Sequence, residues 1–267
     1  NLIVKKSADD KFIEGIKFTL FGTADNGEFI NLTDITDKSG IAKFNDVPIG
    51  KYTLSEITKE DRYITVLDME QTIEWKTTLE ALVENHLKIG EISTTAKSNE
   101  TQSNYAYAME NVTLVDTVSY KGLGSNTEYR LEGVLMDKAT GEVLDIEDSS
   151  KVRSTRNFTT TSTGSGTVDV EFTIPAESLK GKSVVVFEYL SYKDKDGNYI
   201  DLANHTDITD TNQTIIFKNP SVGTTAKDTV TNTNEAFVSN TTTIVDTVNY
   251  TDVSVGKEDT ISCVLMN

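Results

Sequence analysis

The sequence predicts an all-β protein made of tandem β-sandwich domains, and three observations support this. Short runs rich in Val, Ile, Thr, Tyr and Phe are bounded by Gly, Asn and Asp, no segment sustains a helical period, and one stretch recurs in tandem. Many short strands separated by regular turns are typical of β-sandwiches.

Strand signals are spread along the whole chain. Turn residues separate them, as in Asp25-Asn26-Gly27 and Asp196-Gly197-Asn198, and only Pro175–Lys180 favours a single helical turn. The predicted strands include Lys17–Phe21, Lys51–Ile57, Thr113–Tyr120, Val168–Ile174, Ser183–Leu190 and Gln213–Lys218.

An internal repeat sets the domain organisation. Thr94-Thr95-Ala96-Lys97 recurs at 224–227, Val115-Asp116-Thr117-Val118 at 245–248 and Val134-Leu135-Met136 at 264–266, always at an offset of 224 − 94 = 130. A fixed period indicates a tandem module of that length. We therefore expect domains at 1–88, 89–219 and 220–267, the last truncated, in a fragment of a longer protein.

Composition excludes several classes of function. The 267 residues hold 25 Lys and Arg against 42 Asp and Glu, a net charge of −17, which argues against binding to nucleic acid or an anionic membrane. One cysteine, Cys263, allows no internal disulfide, and with two histidines it is too little for a zinc site. The run 194–198 only loosely resembles a calcium loop, so we predict neither metal nor cofactor.

Strand parity places seven polar side chains on apolar faces. Residues i, i+2 and i+4 of a strand share a face, so Lys6 follows Leu2 and Val4, and Gln213 precedes Ile215 and Phe217. A buried lone charge costs several kcal/mol, so each group needs a partner or a shifted pKa. One such residue could reach water at a strand end, but seven together favour a function: Lys6, Glu56, Asn85, Thr94, Asp116, Glu188 and Gln213.

Residues 1–88 resemble the collagen-adhesin B-type domains of Gram-positive pilins and adhesin stalks. The similar segments are 2–6 (LIVKK), 14–20 (EGIKFTL), 37–40 (DKSG), 48–56 (PIGKYTLSE) and 83–85 (VEN). The resemblance implies a prealbumin-like or immunoglobulin-like sandwich with an isopeptide bond between Lys6 and Asn85, assisted by Glu56. Lys5 is the alternative lysine, and family spacing and parity favour Lys6.

Residues 89–219 resemble the Thr–Gln ester-bond domains, or VaFE repeats. The similar segments are 94–96 (TTA), 115–118 (VDTV), 133–137 (GVLMD), 181–188 (GKSVVVFE) and 205–214 (HTDITDTNQT). The resemblance implies an ester between Thr94 and Gln213, with His205 as base and the acids Asp116 and Glu188 assisting. Residues 220–267 match the first part of the family, with Thr224 and Asp246 in the incomplete copy.

The implied chemistry agrees with the residue types. A lysine in an apolar core has a lowered pKa and becomes a neutral nucleophile, whereas a threonine hydroxyl needs a base such as His205. Two adjacent carboxyls, Asp116 and Glu188, can share one proton. Each reaction would occur once, so we predict maturation of the chain and not an enzyme that turns over.

The expected function is structural. We interpret the chain as a stalk segment of an extracellular, cell-wall-anchored Gram-positive adhesin or pilus-like protein, monomeric and in contact with neighbouring domains of the same stalk. A tip outside the fragment could bind a host-surface ligand. The alternatives are a binding module for host matrix protein or glycan, and a turnover hydrolase that uses His205 with Thr94.

Overall fold

The computed structural model describes residues 1–108, 110–146, 150–253, 256, 258 and 260–266, so the last residue of the predicted third domain, Asn267, lies outside the described residues. The described part consists of strands and one 3₁₀ turn, Glu177–Leu179, which confirms the all-β prediction. It contains no helix long and apolar enough to cross a membrane. The strands are β1 (Leu2–Ala8), β2 (Lys17–Ala24), β3 (Phe29–Ile35), β4 (Ile41–Phe44), β5 (Gly50–Glu56), β6 (Met69–Ile73), β7 (Leu79–Asn85), β8 (Glu91–Ser98), β9 (Tyr105–Tyr107), β10 (Val112–Lys121), β11 (Glu128–Asp137), β12 (Asp145–Ile146), β13 (Ser150–Lys151), β14 (Arg153–Thr159), β15 (Gly166–Ile174), β16 (Ser183–Lys193), β17 (Tyr199–His205), β18 (Thr214–Lys218), β19 (Ser221–Asp228) and β20 (Ile244–Thr251).

The first sandwich comprises β1–β7. One sheet has the order β4-β1-β7 and the other β3-β2-β5-β6, and their inner faces enclose one apolar core. Alternate residues of β1 enter this core, where Leu2 and Val4 are fully buried against residues such as Phe18 and Leu20. Burying each large apolar side chain contributes about 1.5–3 kcal/mol, which fixes the register of β1 and turns Lys6 inward as well.

The second sandwich comprises β8–β18. Strands β15-β10-β8 form one sheet, and β14-β11-β16-β18-β9, with β17 beside β16, form the other. The core between them includes Leu114, Leu131, Val186 and Phe217, all at most 1% exposed. The first strand β8 and the late strand β18 therefore belong to opposite sheets.

The repeat extends to strand pairing. In the second sandwich β8 pairs with β10 so that Thr94 faces Val118 and Ala96 faces Asp116. Strands β19 and β20 pair in the same register at the offset of 130, since Thr224 faces Val248.

The predicted strands lie within observed ones, with two differences of one residue each. Ile57 comes directly after β5, which ends at Glu56. Gln213 comes directly before β18, which begins at Thr214. The Asp25-Asn26-Gly27 turn is also present, with Gly27 at φ 86°, a conformation that favours glycine.

Candidate functional sites

The first site is formed by Lys6, Glu56 and Asn85 in the first sandwich. Strands β1 and β7 run parallel and side by side, with Lys6 opposite Val83 and Ala8 opposite Asn85. Lys6 and Asn85 are therefore diagonal neighbours in one sheet. Glu56 ends β5 in the facing sheet, and its side chain is only 7% exposed.

Glu56 contacts both other members of this site. The Asn85 amide nitrogen Nδ2 donates a hydrogen bond to Glu56 Oε1 at 2.9 Å, and Glu56 Oε2 lies 3.7 Å from Lys6 Nζ. Lys6 Nζ also donates to the Ser7 carbonyl at 2.9 Å. Lys5, the alternative lysine, points to the surface and pairs with an exposed glutamate instead. The structure thus brings Lys6, and not Lys5, to this site.

Burial governs the acidity of Lys6. Removal of the amine from water lowers its pKa from the usual 10.5, although the Glu56 carboxylate acts in the opposite direction. A larger fraction of the amine is therefore neutral than for a surface lysine. The neutral amine is the form that nucleophilic attack on the Asn85 amide would require.

The second site joins the two sheets of the second sandwich. Thr94 and Asp116 come from β8 and β10 of one sheet, whereas Glu188 lies on β16 of the other. Gln213 is held between the sheets by its own backbone segment, because its carbonyl accepts from Val186 N at 3.1 Å and the preceding Asn212 carbonyl accepts from β8 at 2.9 Å. Asp116, Glu188 and Gln213 are fully buried, and Thr94 is 6% exposed.

Asp116 and Glu188 form a buried acid pair. Burial raises the pKa of Asp116, an effect opposed by Glu188, His205 and Thr94 nearby. Burial also raises the pKa of Glu188, and the adjacent Asp116 raises it further. Two neighbouring buried carboxyls cannot both ionise readily, so burial and mutual repulsion favour a state in which the pair keeps one proton.

Polar atoms without hydrogen-bond partners are concentrated in the two sites. Within the described ranges, ten buried side-chain nitrogen or oxygen atoms lack a partner of acceptable geometry, and all but Arg130 Nε belong to these sites. A buried polar atom without a partner costs about 1–3 kcal/mol, and a proton shared by Asp116 and Glu188 would reduce that cost for the acid pair. The nine are Glu56 Oε2, Asn85 Oδ1, Thr94 Oγ1, both carboxyl oxygens of Asp116 and of Glu188, and Gln213 Oε1 and Nε2.

His205 lies at the edge of the second site. It ends β17, opposite Glu188 in the strand register, and its side chain is 24% exposed. Its Nε2 lies 2.8 Å from Asp210 Oδ2. Asp210 is itself fixed, because its other oxygen accepts from Asn212 N at 2.8 Å. Sequence reasoning gave Asp210 no role, although a carboxylate five residues after a histidine in a turn was the available signal.

Gly133 is a second residue that sequence reasoning missed. It faces Glu188 across the β11–β16 pair. A Cβ at Gly133 would lie 2.6 Å from Glu188 Oε1 and 2.6 Å from Phe172 Cζ. The missing side chain therefore provides the space for the Glu188 carboxyl, and a glycine inside a strand was the signal for such a close approach.

Two further predictions concern other parts of the chain. Thr224 and Asp246 occupy the strand positions of Thr94 and Asp116, and both are exposed on the β19–β20 hairpin. In the loop that loosely resembles a calcium site, Asp194 Oδ1 accepts the backbone N–H groups of Asp196 and Asn198 at 2.9 and 2.7 Å. The described residues contain no group of three or more His, Cys, Asp or Glu arranged to hold a metal ion.

Comparison with protein families identifies these modules. The family model of the T-Q ester bond containing domain matches residues 90–217 and again residues 220–267. The chain belongs to this family. Residues 1–86 match the model of the SpaA domain, described as a prealbumin-like fold domain. A prealbumin-like domain thus precedes the ester-bond domain sequence.

Several solved structures are similar to the chain at low identity. A bacterial adhesin from Mobiluncus mulieris containing intramolecular disulfide, isopeptide and ester bond cross-links is 13% identical with a TM-score of 0.41, over 61% of this chain and 76% of its own. The major pilin subunit BcpA of Bacillus cereus is 11% identical with a TM-score of 0.30, over 93% and 83%. The major pilin SpaD from Corynebacterium diphtheriae is 13% identical with a TM-score of 0.29, over 86% and 68%. The search of curated proteins gave no match.

Proposed function

We propose that this chain is a structural stalk segment of a surface adhesin or pilus-like protein, in which each sandwich is closed by an autocatalytic cross-link. An amide would join Lys6 to Asn85, and an ester would join Thr94 to Gln213. The observation that carries this proposal is the concentration of nine unpartnered buried polar atoms in two sites whose members match the two reactions.

The amide would form by direct acyl transfer. The neutral Lys6 amine attacks Cγ of Asn85, while Glu56 takes a proton from that amine through Oε2 and delivers a proton to the departing Nδ2 through Oε1. One C–N bond forms, one breaks, and ammonia leaves. Because the folded core holds the reactants together, the effective molarity of the amine is high.

The ester would form with different assistance. His205 takes the proton of the Thr94 hydroxyl as its oxygen attacks Cδ of Gln213, and then gives that proton to Nε2 of Gln213. The Cδ–Nε2 bond breaks and ammonia leaves the tetrahedral intermediate. The shared proton of Asp116 and Glu188 would stabilise the developing oxyanion. Condensation removes the hydroxyl and amide donors that are unpartnered before reaction, which lowers the cost of their burial.

The proposed bonds would let a pulling force pass along a short covalent path instead of along the whole chain of each sandwich. They close loops of 85 − 6 = 79 and 213 − 94 = 119 positions, so tension would bypass most of each sandwich. Only nine positions separate Asn85 from Thr94. This proposal includes the domain division 1–88, 89–219 and 220–267, a monomeric chain, an extracellular and cell-wall-anchored location, and contacts with neighbouring stalk domains.

Mass spectrometry of the folded chain tests the proposal. The intact mass should fall below the sequence mass by two ammonias, and peptide mapping should find one branched peptide for each bond. Hydroxylamine at mild alkaline pH should cleave the ester and leave the amide. A full sequence mass would refute both bonds, and an esterified Thr94 would also exclude a turnover hydrolase based on that residue.

A further inference from the structure

The segment between β5 and β6, residues 57–68, covers one side of the first site. A surface cavity of about 260 Å³ reaches Glu56 and Asn85, and its remaining lining residues all belong to this segment, at 59–61 and 63–66. The position of the segment therefore determines how much water reaches the reacting groups. We call residues 57–68 the cover segment.

Part of the cover segment is attached to the first sandwich. The backbone of Ile64 donates to the His86 carbonyl at 2.8 Å, just beyond Asn85. The Tyr63 hydroxyl donates to Asp10 Oδ1 at 2.6 Å, and Arg62 Nε donates to Asp10 Oδ2 at 3.1 Å. These contacts hold the middle of the segment beside the ends of β1 and β7.

The same segment is also in contact with the second sandwich. Asp61 Oδ2 accepts hydrogen bonds from Ser125 N at 2.8 Å and Ser125 Oγ at 2.5 Å, both in the β10–β11 loop. The neighbouring Gly124 packs so closely that a Cβ there would lie 2.6 Å from Arg62 Cα. Nearby, Lys11 donates to Asp196 of the β16–β17 turn at 2.7 Å.

We propose that the second sandwich positions the cover segment, so that amide formation in the first sandwich depends on the docking of the second. Asp61, Gly124 and Ser125 act here as positioning residues, since none of them touches Lys6 or Asn85. This inference rests on the proposed Lys6–Asn85 bond and adds an order of events. The sandwiches dock first, the cover segment then takes up its position beside the first site, and the amide forms last.

A displaced cover segment would change the reaction through water. Lys6 faces Glu56 from β5, Asp10 beyond β1 and Glu84 from β7, and all three carboxylates favour its protonated form. Burial is the opposing effect, and it weakens if water enters the cavity. Undocking should therefore slow the reaction near neutral pH, and raising the pH should restore the rate.

A matched pair of glycine variants tests this in the full chain. Gly124→Ala places a methyl group against Arg62, whereas Gly223→Ala places one where no atom lies within 4 Å, and neither glycine has a positive φ.

Each chain is made by cell-free synthesis and sampled over time for loss of ammonia. We expect Gly124→Ala to slow Lys6–Asn85 bond formation about tenfold near neutral pH, because a smaller fraction of the Lys6 amine is then neutral. Gly223→Ala should match the unaltered chain, and an ester at Thr94 forming at the normal rate would show that the second sandwich still folds.

A second set of variants removes the hydrogen bonds without a steric clash. Asp61→Ala should slow the amide, and Asp61→Asn, which keeps an acceptor for Ser125, should restore most of the rate. Asp61 also accepts from Lys88 at 3.0 Å, so Lys88→Ala measures that contribution separately. Hydrogen exchange should show faster exchange at Ile64 N–H in Gly124→Ala and Asp61→Ala than in the unaltered chain.

The outcomes separate this inference from the proposed function. If the unaltered chain never forms the amide, the proposed function fails and this inference fails with it. If the amide forms in the unaltered chain and at the same rate, with the same pH profile, in Gly124→Ala and Asp61→Ala, only this inference is overturned. A slower reaction that does not recover at higher pH would also overturn it, because that pattern indicates misfolding and not water entry.

Discussion

Glu56 accepts a hydrogen bond from the side-chain amide of Asn85 at 2.9 Å, and this bond spans the two sheets of the first sandwich. The second carboxyl oxygen of Glu56 lies 3.7 Å from Lys6 Nζ. One side chain thus reaches both the nucleophile and the leaving group of the proposed amide. A group in this position can move a proton between them without a diffusing water molecule.

Replacing Glu56 tests this role. Glu56→Ala should leave Lys6 and Asn85 as free side chains in an otherwise folded sandwich, because it removes the carboxylate that contacts both and carries the proton between them. Peptide mapping by tandem mass spectrometry should then find both unbranched peptides. Glu84→Ala, which removes an exposed carboxylate from the strand that carries Asn85, is the control and should react fully. A branched Lys6–Asn85 peptide in Glu56→Ala would show that the proton-transfer role is wrong.

Strand parity predicted that the seven polar side chains of the two sites face the interior. A period of two leaves no choice of face once the apolar residues are assigned, and six of the seven predicted residues are buried while the Glu56 side chain is 7% exposed. Parity could not show which of them meet, because Glu56 reaches Asn85 from another sheet and sheet order depends on non-local pairing. Parity also could not predict the roles of Gly133 and Asp210. Gly133 matters because it has no side chain next to Glu188, and Asp210 lies in a turn, where strand parity does not apply.

Loss of the Thr94 hydroxyl should destabilise the second sandwich. A cross-link closing a loop of 119 positions should contribute about 4–5 kcal/mol, by analogy with a disulfide closing a loop of about 100 residues. Thr94→Ala should therefore lower the Tm of this sandwich by roughly 10 °C or more and make it protease-sensitive. Thr95→Ala, at an exposed position on the same strand, is the control. Equal melting of the two variants would count against any structural role for Thr94.

Replacing His205 should slow ester formation more than replacing Asp210. His205→Ala should slow it by about 10²–10⁴-fold, the usual contribution of a general base. Asp210→Asn keeps a hydrogen-bonding group near His205 Nε2 that still orients the ring, so a smaller loss of rate is expected. Time-resolved intact mass after cell-free synthesis gives both rates. His86→Ala, an exposed histidine of the first sandwich, should leave the ester unaffected, and an unchanged rate in His205→Ala would remove that residue from the mechanism.

The acid pair predicts a pH-dependent stability in the uncross-linked chain. The pKa of Glu188 is raised in the folded state, so above its ordinary value of 4.5 the folded chain binds more protons than the unfolded chain. The free energy of unfolding must then fall as pH rises through this window. Urea unfolding of Thr94→Ala from about pH 5 to about pH 8 should show that decline. Thr94→Ala combined with Glu188→Gln should show a flatter profile, and equal slopes would contradict a shared proton.

Gly133→Ala should block the ester while the fold survives. The backbone at Gly133 is not in the left-handed region, so alanine fits the strand, but its Cβ would lie 2.6 Å from Glu188 Oε1. The Glu188 carboxyl must then shift from its present position, which changes its geometry relative to Asp116 and disturbs the proton that the pair would share. We expect one ammonia lost instead of two by intact mass, together with an overpacking cost of about 1–3 kcal/mol.

The Phe172 ring, also 2.6 Å from that Cβ, provides the means to separate the two effects. Phe172→Leu in the Gly133→Ala background should relieve the overpacking and recover stability, but it should not recover the ester, because the contact with Glu188 remains. Gly133→Cys tests whether a natural side chain is tolerated here, since Cys263 occupies the equivalent position of the repeat at 263 − 133 = 130. If Gly133→Cys still forms the ester at the normal rate, the space at this position does not control the acid pair.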